Sequence, residues 1–596
     1  MKVPKMNNPL LIILPFLLSV QLASSTCRHE NNFGVYFIYC DQITALEEIE
    51  TPLSNLTMIR IFISNSSITL TKSQSLLGKR LKELDIAKSV ISEIQRDFVD
   101  DFPELNRITI RDCKMGTVEA LSNLTPLYSL ILERNQISSL PQDFVAELRR
   151  LNILVLVHSA VDLSEYMFRD VPLTHLHLSG NGITSINPYS FATLRNLEEL
   201  KLDNNSITVL PANVFQDLER LRVLNLNGNH LRSVDRAAFS GLRNLNELIL
   251  SNNYLVRIES DWFVELPSIT TLDLNSNRIK SLLLNVPTLK SLQLSHNQLT
   301  ILEDDALLDV PNLKLLDLSN NGLTHVTKDA FKNSPQLEEL TLESNNVSQL
   351  TSDIFKHFSN LTSLILSSNK ITNLSAIGLD HLQHLQSLNL SNNNLGALPT
   401  PAPLHQLRSL QVLDLHNTRL TTIQPSMFAG LENLKSLNLS GNKLPKITQG
   451  TFAEAKGLNT LNLGNTTVKK FHVNALSELQ QLKVLNLEYN KFTELPVGIF
   501  ANMRLNYLSL KGNKVKRLAG EVFANQTEME ELDLSDTNVE QLEFVEVMGN
   551  LRYLLLKNTR YGDRKVIRFK NHTFLKINED YWDSWCPYFI LECREV

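Results

Sequence analysis

Five cysteines, a trio of histidines and twelve Asn-x-Ser/Thr sequons are the residues of this chain whose types and spacing could do chemistry. Thiols can cross-link, imidazoles can hold a metal or a proton, and sequons can accept sugar. Cys27 and Cys40 lie close together in sequence, as do Cys586 and Cys593. The simplest pairing joins Cys27 to Cys40 and Cys586 to Cys593, each closing a short loop. Pairing across the two ends would require a long arc to close on itself and is set aside. Cys113 is left over, and an odd cysteine in an oxidising compartment is either a free thiol or a bridge to another chain. Its place after Leu105, Ile108 and Ile110 favours a half-buried thiol in a turn.

His158, His175 and His177 raise two readings, a metal site and a pH-sensitive contact. Alternation puts His175 and His177 on one strand face, with His158 at the end of the neighbouring strand. Apart from Glu133, no carboxylate or cysteine with an evident ligand geometry lies in the adjacent outward triplets, so ordinary surface histidines are the simpler expectation. No Gly-rich phosphate loop, zinc-ligand spacing or nucleophile elbow occurs. Neither an enzyme nor a cofactor is expected. The net charge of −6, from 57 basic and 63 acidic residues, argues against nucleic acid or an anionic membrane as principal partner.

The sequons stand at Asn55, Asn65, Asn123, Asn204, Asn346, Asn360, Asn373, Asn389, Asn438, Asn465, Asn525 and Asn571. They are used only in the secretory pathway. Lys2 and Lys5, an apolar run from Leu10 to Val20, and then Ala23, Ser24 and Ser25 form the pattern of a signal peptide over residues 1–25. No later stretch approaches the ~18 to 20 apolar residues that span a bilayer. The segment ending at Val596 shows no lipid-anchor tail or retrieval signal. These features predict a secreted, extracellular glycoprotein with no membrane span.

A repeat positions Cys113, the three histidines and most of the sequons. The rule Leu-x-x-Leu-x-Leu-x-x-Asn-x-Leu is clean at Leu221, Leu224, Leu226, Asn229 and Leu231, and again at Leu361, Leu364, Leu366, Asn369 and Ile371. About 22 copies run from Met58 to Leu551, mostly 24 residues apart. A fixed period of this length predicts a solenoid. In each copy x-Leu-x-Leu-x is a strand with leucines inside and three variable residues outside. The Asn amide sits at the turn and can satisfy backbone groups of its own and the adjacent repeat. Segments such as Leu210, Pro211 and Phe215 fill the wider second half. The predicted architecture is an α/β horseshoe with a parallel concave sheet of about 22 strands and capped ends. Its parts are an N-terminal cap over 26–57, repeats over 58–561, and an aromatic C-terminal cap with a Cys pair over 562–596. The slot holds Asn without a break from Asn181 to Asn393, which marks the middle as the stiffest part. Outside that run it holds Asn135, Asn442, Asn490 and Asn513, and otherwise Ser66, Ser89, Cys113, Ser159, Thr418, Thr466, Thr537 or Thr559. The short repeat from Ile269 to Leu289 lacks the Phe segment and predicts a local change near Ser281 to Leu284.

Partner information must lie in the outward positions. Ile153, Val155 and Val157 form a wholly apolar triplet beside Ile131, and contiguous exposed apolar surface often marks an interaction site. With His175 and His177 they make the candidate partner-binding face. The alternatives are a covering loop or the preference of β-branched residues for strands. Later triplets are polar, centred on Asp273, Asp317, Asn389, Asp414, Asn438 and Asn486. That is the look of a solvated sheet, with sugar or a basic surface as the alternative ligand. Glycans on Asn389 and Asn438 would cover part of this face. A second apolar cluster comprises Val484, Tyr507, Tyr553 and Leu555.

The 24-residue period with Leu-Pro-x-x-x-Phe resembles the extracellular leucine-rich repeat family, the type of Toll-like receptor and Slit ectodomains, over residues 50 to 561. The end of the chain departs from the usual flanking cap, with Trp585-Cys586-Pro587 and then Cys593. In overall plan the chain is similar to secreted insect leucine-rich repeat proteins, including the mosquito leucine-rich immune proteins, without their coiled coil. The resemblance implies a secreted, non-enzymatic scaffold that recognises an extracellular protein or a microbial surface ligand in innate immunity. An adhesion or guidance protein that binds cell-surface receptors is the alternative. A homodimer is left open.

Overall fold

In the computed structural model most of the three-residue strands bury a central leucine and half-bury the residues on either side, as at Glu199–Lys201, Val223–Asn225 and Leu315–Asp317. This is the period-two alternation read from the sequence. The structure describes residues 26–32, 35–49, 58–71, 80–95, 97–98, 102–115, 125–137, 144–159, 161, 163, 165–398, 403–562 and 575–578. The signal segment, Cys586, Cys593, the aromatic tail and the sequons Asn55, Asn123 and Asn571 lie outside the described residues.

The chain divides into two compact units, residues 1–229 with 237–243, and residues 230–236 with 244–596. Each is a solenoid of parallel strands, and the chain has about 20 turns in all. The first unit opens with an antiparallel hairpin, Thr26–Asn32 on Val35–Asp41, in which Cys27 faces Cys40 and is disulfide-bonded to it. From Val35–Asp41 the ladder continues in parallel through Met58–Ser64 and Leu81–Ala87. Within the second unit the strands from Glu247–Ile249 onward pair in parallel, each one period from the last. Behind the strands the chain runs through turns and short 3-10 segments such as Ser260–Phe263 and Pro425–Phe428. No α-helix forms among the described residues. Phenylalanines fill this wider side: Phe191 stacks on Phe215 and Phe428 on Phe452, all buried.

Strand length is not uniform along the chain. Met58–Ser64 and Leu81–Ala87 have 7 residues, Ile153–Val157 has 5, and His175–His177 has 3. The first strands are rich in β-branched and aromatic residues, which favour extended backbone. A second parallel sheet, Ser67–Leu70 with Val90–Ile94 and Lys114–Met115, lengthens the ladder there. The short repeat is also accommodated by extra pairing. Ser281–Leu282 joins Arg257–Ile258, and Leu284–Asn285 joins Leu307–Asp309, while Thr271–Asp273 stays in register with Ser291–Gln293.

The turn after each strand explains the polar ladder. The residue before the Asn slot is left-handed in repeat after repeat, for example Asn204 (φ 56), Asn252 (φ 54), Asn320 (φ 51) and Asn392 (φ 55). Asn tolerates this conformation better than most side chains. The slot residue then closes the turn. Asn205 Nδ2 donates to the carbonyls of Leu178 and Leu202 at 2.9 Å each, and its Oδ1 accepts from the N–H of Asn181 at 2.9 Å and of Ile183 at 3.1 Å. The smaller slot residues keep part of this pattern. Ser159 Oγ donates to Val157 and Leu132 carbonyls, and Thr418 Oγ1 to the Leu415 carbonyl at 2.8 Å.

Candidate functional site: the outward face of the first unit

Strand register brings the sequence-predicted residues together. Ile153 lies opposite Ser129 and His175, and Val155 opposite Ile131 and His177. The apolar patch is less open than expected: Ile131 is 7% and Val155 6% exposed. Each sits between side chains on two neighbouring strands, and in a parallel ladder branched neighbours ~4.8 Å apart shield one another. Ile153 and Val157, at the ends of the triplet, remain half-buried. His158 sits apart, in the turn, where Nδ1 donates to the Gly180 carbonyl at 2.9 Å.

The decisive neighbour was missed in the sequence. Glu199 follows His175 by one period and lies opposite it in register, with Lys201 opposite His177. Three basic side chains converge on this one carboxylate. Lys201 Nζ is 2.6 Å from Glu199 Oε1, His177 Nε2 is 3.2 Å from Oε1, and His175 Nε2 is 3.7 Å from Oε2. The His177 nitrogen is buried and, despite that distance, not aligned as a hydrogen bond. Burial, reinforced by Lys201, pushes His177 below the ordinary imidazole range. Burial alone would raise Glu199, but the hydrogen bond and charge of Lys201 hold it below the usual carboxylate range. His177 therefore stands neutral beside a Lys–Glu pair at neutral pH. The 24-residue period was the available signal, since adding it to 175 gives 199.

Toward the N-terminus the same face carries charge. Arg60 pairs with Glu83 at 3.1 Å, and Arg111 reaches Glu133 at 3.4 Å and Asp85 at 3.9 Å. Burial raises the Asp85 carboxyl even with Arg111 and Arg107 nearby. Phe62 stacks on Tyr39 with ring centroids 5.0 Å apart.

In the second unit the polar column has a structural task. Asp273 Oδ1 accepts the Asn275 N–H at 3.0 Å, Asp317 that of Ser319 at 2.8 Å, and Asp414 that of His416 at 2.7 Å. Asn438 and Asn486 do the same toward Ser440 and Glu488. These side chains cap the strand end, where the backbone leaves the ladder. Asn389 was expected to be exposed but is 8% exposed, its Oδ1 taken by the Ser391 N–H at 2.9 Å. It lies in register between Ile365 and Asp414, whereas half-buried Asn438 lies between Asp414 and Asn462. The larger Ile365 accounts for the difference. In the second apolar cluster Leu555 is buried, and burial pushes the Tyr507 hydroxyl up.

Cys113 occupies the Asn slot and works as a reduced version of it. Sγ donates to the Arg111 carbonyl at 3.2 Å and more weakly to that of Ile86 at 3.6 Å, while the Cys113 N–H donates to Asn135 Oδ1 at 3.0 Å. The thiol is free and buried, and burial pushes its pKa up, so little thiolate forms. Cys113→Ser is expected to leave the native mass unchanged, and native Cys113 to resist iodoacetamide until the chain is unfolded. Loss of a covalent dimer in the variant, seen by non-reducing gel, would overturn this.

Among the described residues no group of three or more His, Cys, Asp or Glu is arranged to hold a metal, and no helix is long and apolar enough to cross a membrane.

The leucine rich repeat profile matches residues 171–231, 219–279, 287–347, 335–395, 408–467, 435–492 and 456–515, which together make up more than half of the chain. The chain belongs to the leucine rich repeat family. Its fold is shared with the leucine-rich repeat receptor Toll in the Drosophila Toll–Spatzle complex, at TM-score 0.64 and 17% identity over 89% of each chain. It is also shared with TLR13 in complex with ssRNA13, at TM-score 0.55 and 21% identity over 82% of each chain. At such identities the likeness is one of fold. No curated protein matches this leucine-rich repeat protein by sequence.

Proposed function

We propose that this leucine-rich repeat protein is a secreted, non-enzymatic recognition protein of innate immunity that holds an extracellular protein or microbial surface ligand on the outward face of its first unit. One observation carries the reading. Ile153, Val157, His175, His177, Glu199 and Lys201 share a face of the sheet whose opposite side supplies the core. The leucines hold the fold, so side chains on this face are free to vary with the partner. An apolar stretch beside an ion-pair cluster matches the core and rim of a protein interface. The Cys27–Cys40 bond fits an oxidising compartment. The Toll–Spatzle complex, whose fold the chain shares and which is described as a hub in development and innate immunity, supports the immune setting. Glycans would then sit on exposed sequons such as Asn204, Asn360 and Asn465, and buried Asn389 would stay bare.

The test is affinity capture of the tagged protein from native body fluid, before and after microbial challenge. Ile153→Glu with Val157→Glu, the two half-exposed members of the triplet, is expected to reduce capture at least about 30-fold, as truncating interface anchors does, with secretion unchanged. Undiminished capture by this variant would remove the face. Recovery of cell-surface receptors alone, unchanged by challenge, would replace the immune role with adhesion or guidance.

A further inference from the structure

The cluster on Glu199 has more potential positive charge than one carboxylate can neutralise. Lys201 already balances Glu199 at 2.6 Å, yet His177 and His175 lie 3.2 Å and 3.7 Å from the same carboxylate. The hydrogen bonds of His175 fix which nitrogen is involved. The Thr174 hydroxyl donates to Asn152 Oδ1, so at 2.8 Å His175 Nδ1–H is the donor to Thr174 Oγ1. Nε2, carrying the lone pair, is left facing Glu199. His177 Nε2 likewise faces Glu199, buried and without an aligned partner. His175 Nε2 therefore presents a lone pair to a carboxylate, and His177 Nε2 lies beside the same carboxylate without an aligned partner, so a proton on either ring strengthens its attraction to Glu199.

The surroundings add little to cancel those protons. The strand Ile153–Val157 on one side carries no titratable group. Beyond it, Glu133 is engaged by Arg111 at 3.4 Å and Arg134 at 4.0 Å. At the far end of the strands, Asp203 accepts from Ser179 Oγ at 2.7 Å, Asn204 Nδ2 at 2.8 Å and Asn225 Nδ2 at 3.5 Å. His158 is held by Gly180. Glu198 and Arg222 occupy the strand-entry position of their repeats, one charge of each sign. Val223–Asn225, the next strand, adds no charge. Each proton taken up by His175 or His177 therefore leaves the cluster one positive charge in excess, next to the apolar side chains of Ile153 and Val157.

We propose that this cluster is an acid-strengthened site for a protein segment carrying a carboxylate beside an apolar side chain. The carboxylate supplies the counter-charge that Glu199 alone cannot, and the apolar side chain covers Ile153 and Val157. A carboxylate suits the site because the basic groups are already disposed around one. The inference rests on the reading of this face as the binding surface. Binding and protonation are linked: the bound carboxylate stabilises charged His177, so the complex takes up protons and tightens as pH falls through the histidine range. The depressed pKa of His177 has the matching sign, since the free protein resists that proton and the partner's charge offsets the resistance.

The probe is a fluorescein-labelled hexapeptide alternating Leu and Glu, with its Leu–Gln counterpart as control, titrated with the full chain at about pH 7.5 and about pH 5.5, on either side of the ordinary histidine pKa. Fluorescence anisotropy is expected to show the Leu–Glu peptide binding at least about fivefold tighter at the lower pH, the effect of one half-exposed charge pair. The control should show no such gain. His175→Gln with His177→Gln is expected to abolish the gain while circular dichroism is unchanged. Absence of binding, equal affinity at both pH values, a gain shared by the Leu–Gln peptide, or a gain that survives the double variant would each overturn the proposal. Capture from body fluid separates this failure from that of the face itself. Capture lost in Ile153→Glu with Val157→Glu but intact at both pH values in the histidine variant would leave the face standing and remove the acid-strengthened site.

Discussion

Asn442→Leu is expected to destabilise the second unit by about 3 to 5 kcal/mol, the range for breaking a buried hydrogen-bond network. Asn442 is 1% exposed and serves two repeats at once. Its Nδ2 donates to the carbonyls of Leu415 at 2.7 Å, Leu439 at 2.9 Å and Ser440 at 3.3 Å. Its Oδ1 accepts from the N–H of Thr418 at 3.0 Å and the N–H of Leu420 at 2.9 Å. Leucine keeps the same branched heavy-atom skeleton with bulkier methyl groups, so the largest loss comes from backbone groups left unsatisfied in a dry interior. Hydrogen exchange is the appropriate readout, because a solenoid opens locally and a single global midpoint is poorly defined. The Thr418 and Leu420 amides should lose protection first. Thr537, the comparison, makes one such bond, from Oγ1 to the Leu534 carbonyl at 2.6 Å, and Thr537→Ala should cost only about 1 kcal/mol. If Asn442→Leu proves as mild as Thr537→Ala, the network is not what holds the turns.

Gly378→Ala is expected to cost about 3 kcal/mol or more, and Gly396→Ala about 1 kcal/mol, although both glycines have φ +64. Alanine pays the left-handed penalty of about 1 kcal/mol at either position. At Gly378 an added Cβ would also lie 1.9 Å from the Ser352 carbonyl oxygen, a backbone atom of the preceding repeat, whereas at Gly396 it would meet nothing within 4 Å. Gly378 is the N-cap of the 3-10 turn Leu379–His381, so relief of the clash must move that turn and buried Leu379 with it. Hydrogen exchange of the amides around Leu379 and around Gly396, with each variant against the parent, measures the difference. Equal destabilisation by the two variants would mean that strain at the glycine, and not inter-repeat contact, sets the cost.

The role of the Asn slot was legible because it is local: every repeat turns at the same place, exposes the same backbone groups there, and needs the same side chain to meet them. The behaviour of Cys113 followed from its slot number for the same reason. The candidate site was only half legible. His175 and His177 could be placed on one face by alternation, but their partner Glu199 lies on the next strand and belongs to the site only through lateral register. The apolar residues Ile131 and Val155 were placed on the correct face and misjudged in exposure. The centre of an outward triplet is covered or open according to the bulk of its lateral neighbours, which for Val155 are Ile131 and His177. Asn389 and Asn438 occupy the same repeat position and differ for that reason too.

By itself the sequence determined the solenoid, the alternation of its strands and the polar ladder, because these follow from a short-range pattern repeated at a fixed interval, and the Cys27–Cys40 pairing, because the two cysteines lie close together in sequence. The tertiary structure alone decided how far each strand extends, that the described second halves are turns and short 3-10 segments and not α-helices, which outward side chains shield one another, and where the backbone of one repeat comes close enough to the next to demand glycine. These depend on distances between residues of different repeats. In a stack of parallel strands ~4.8 Å apart, a difference of one side-chain branch or one backbone oxygen decides whether a position is core, surface or site.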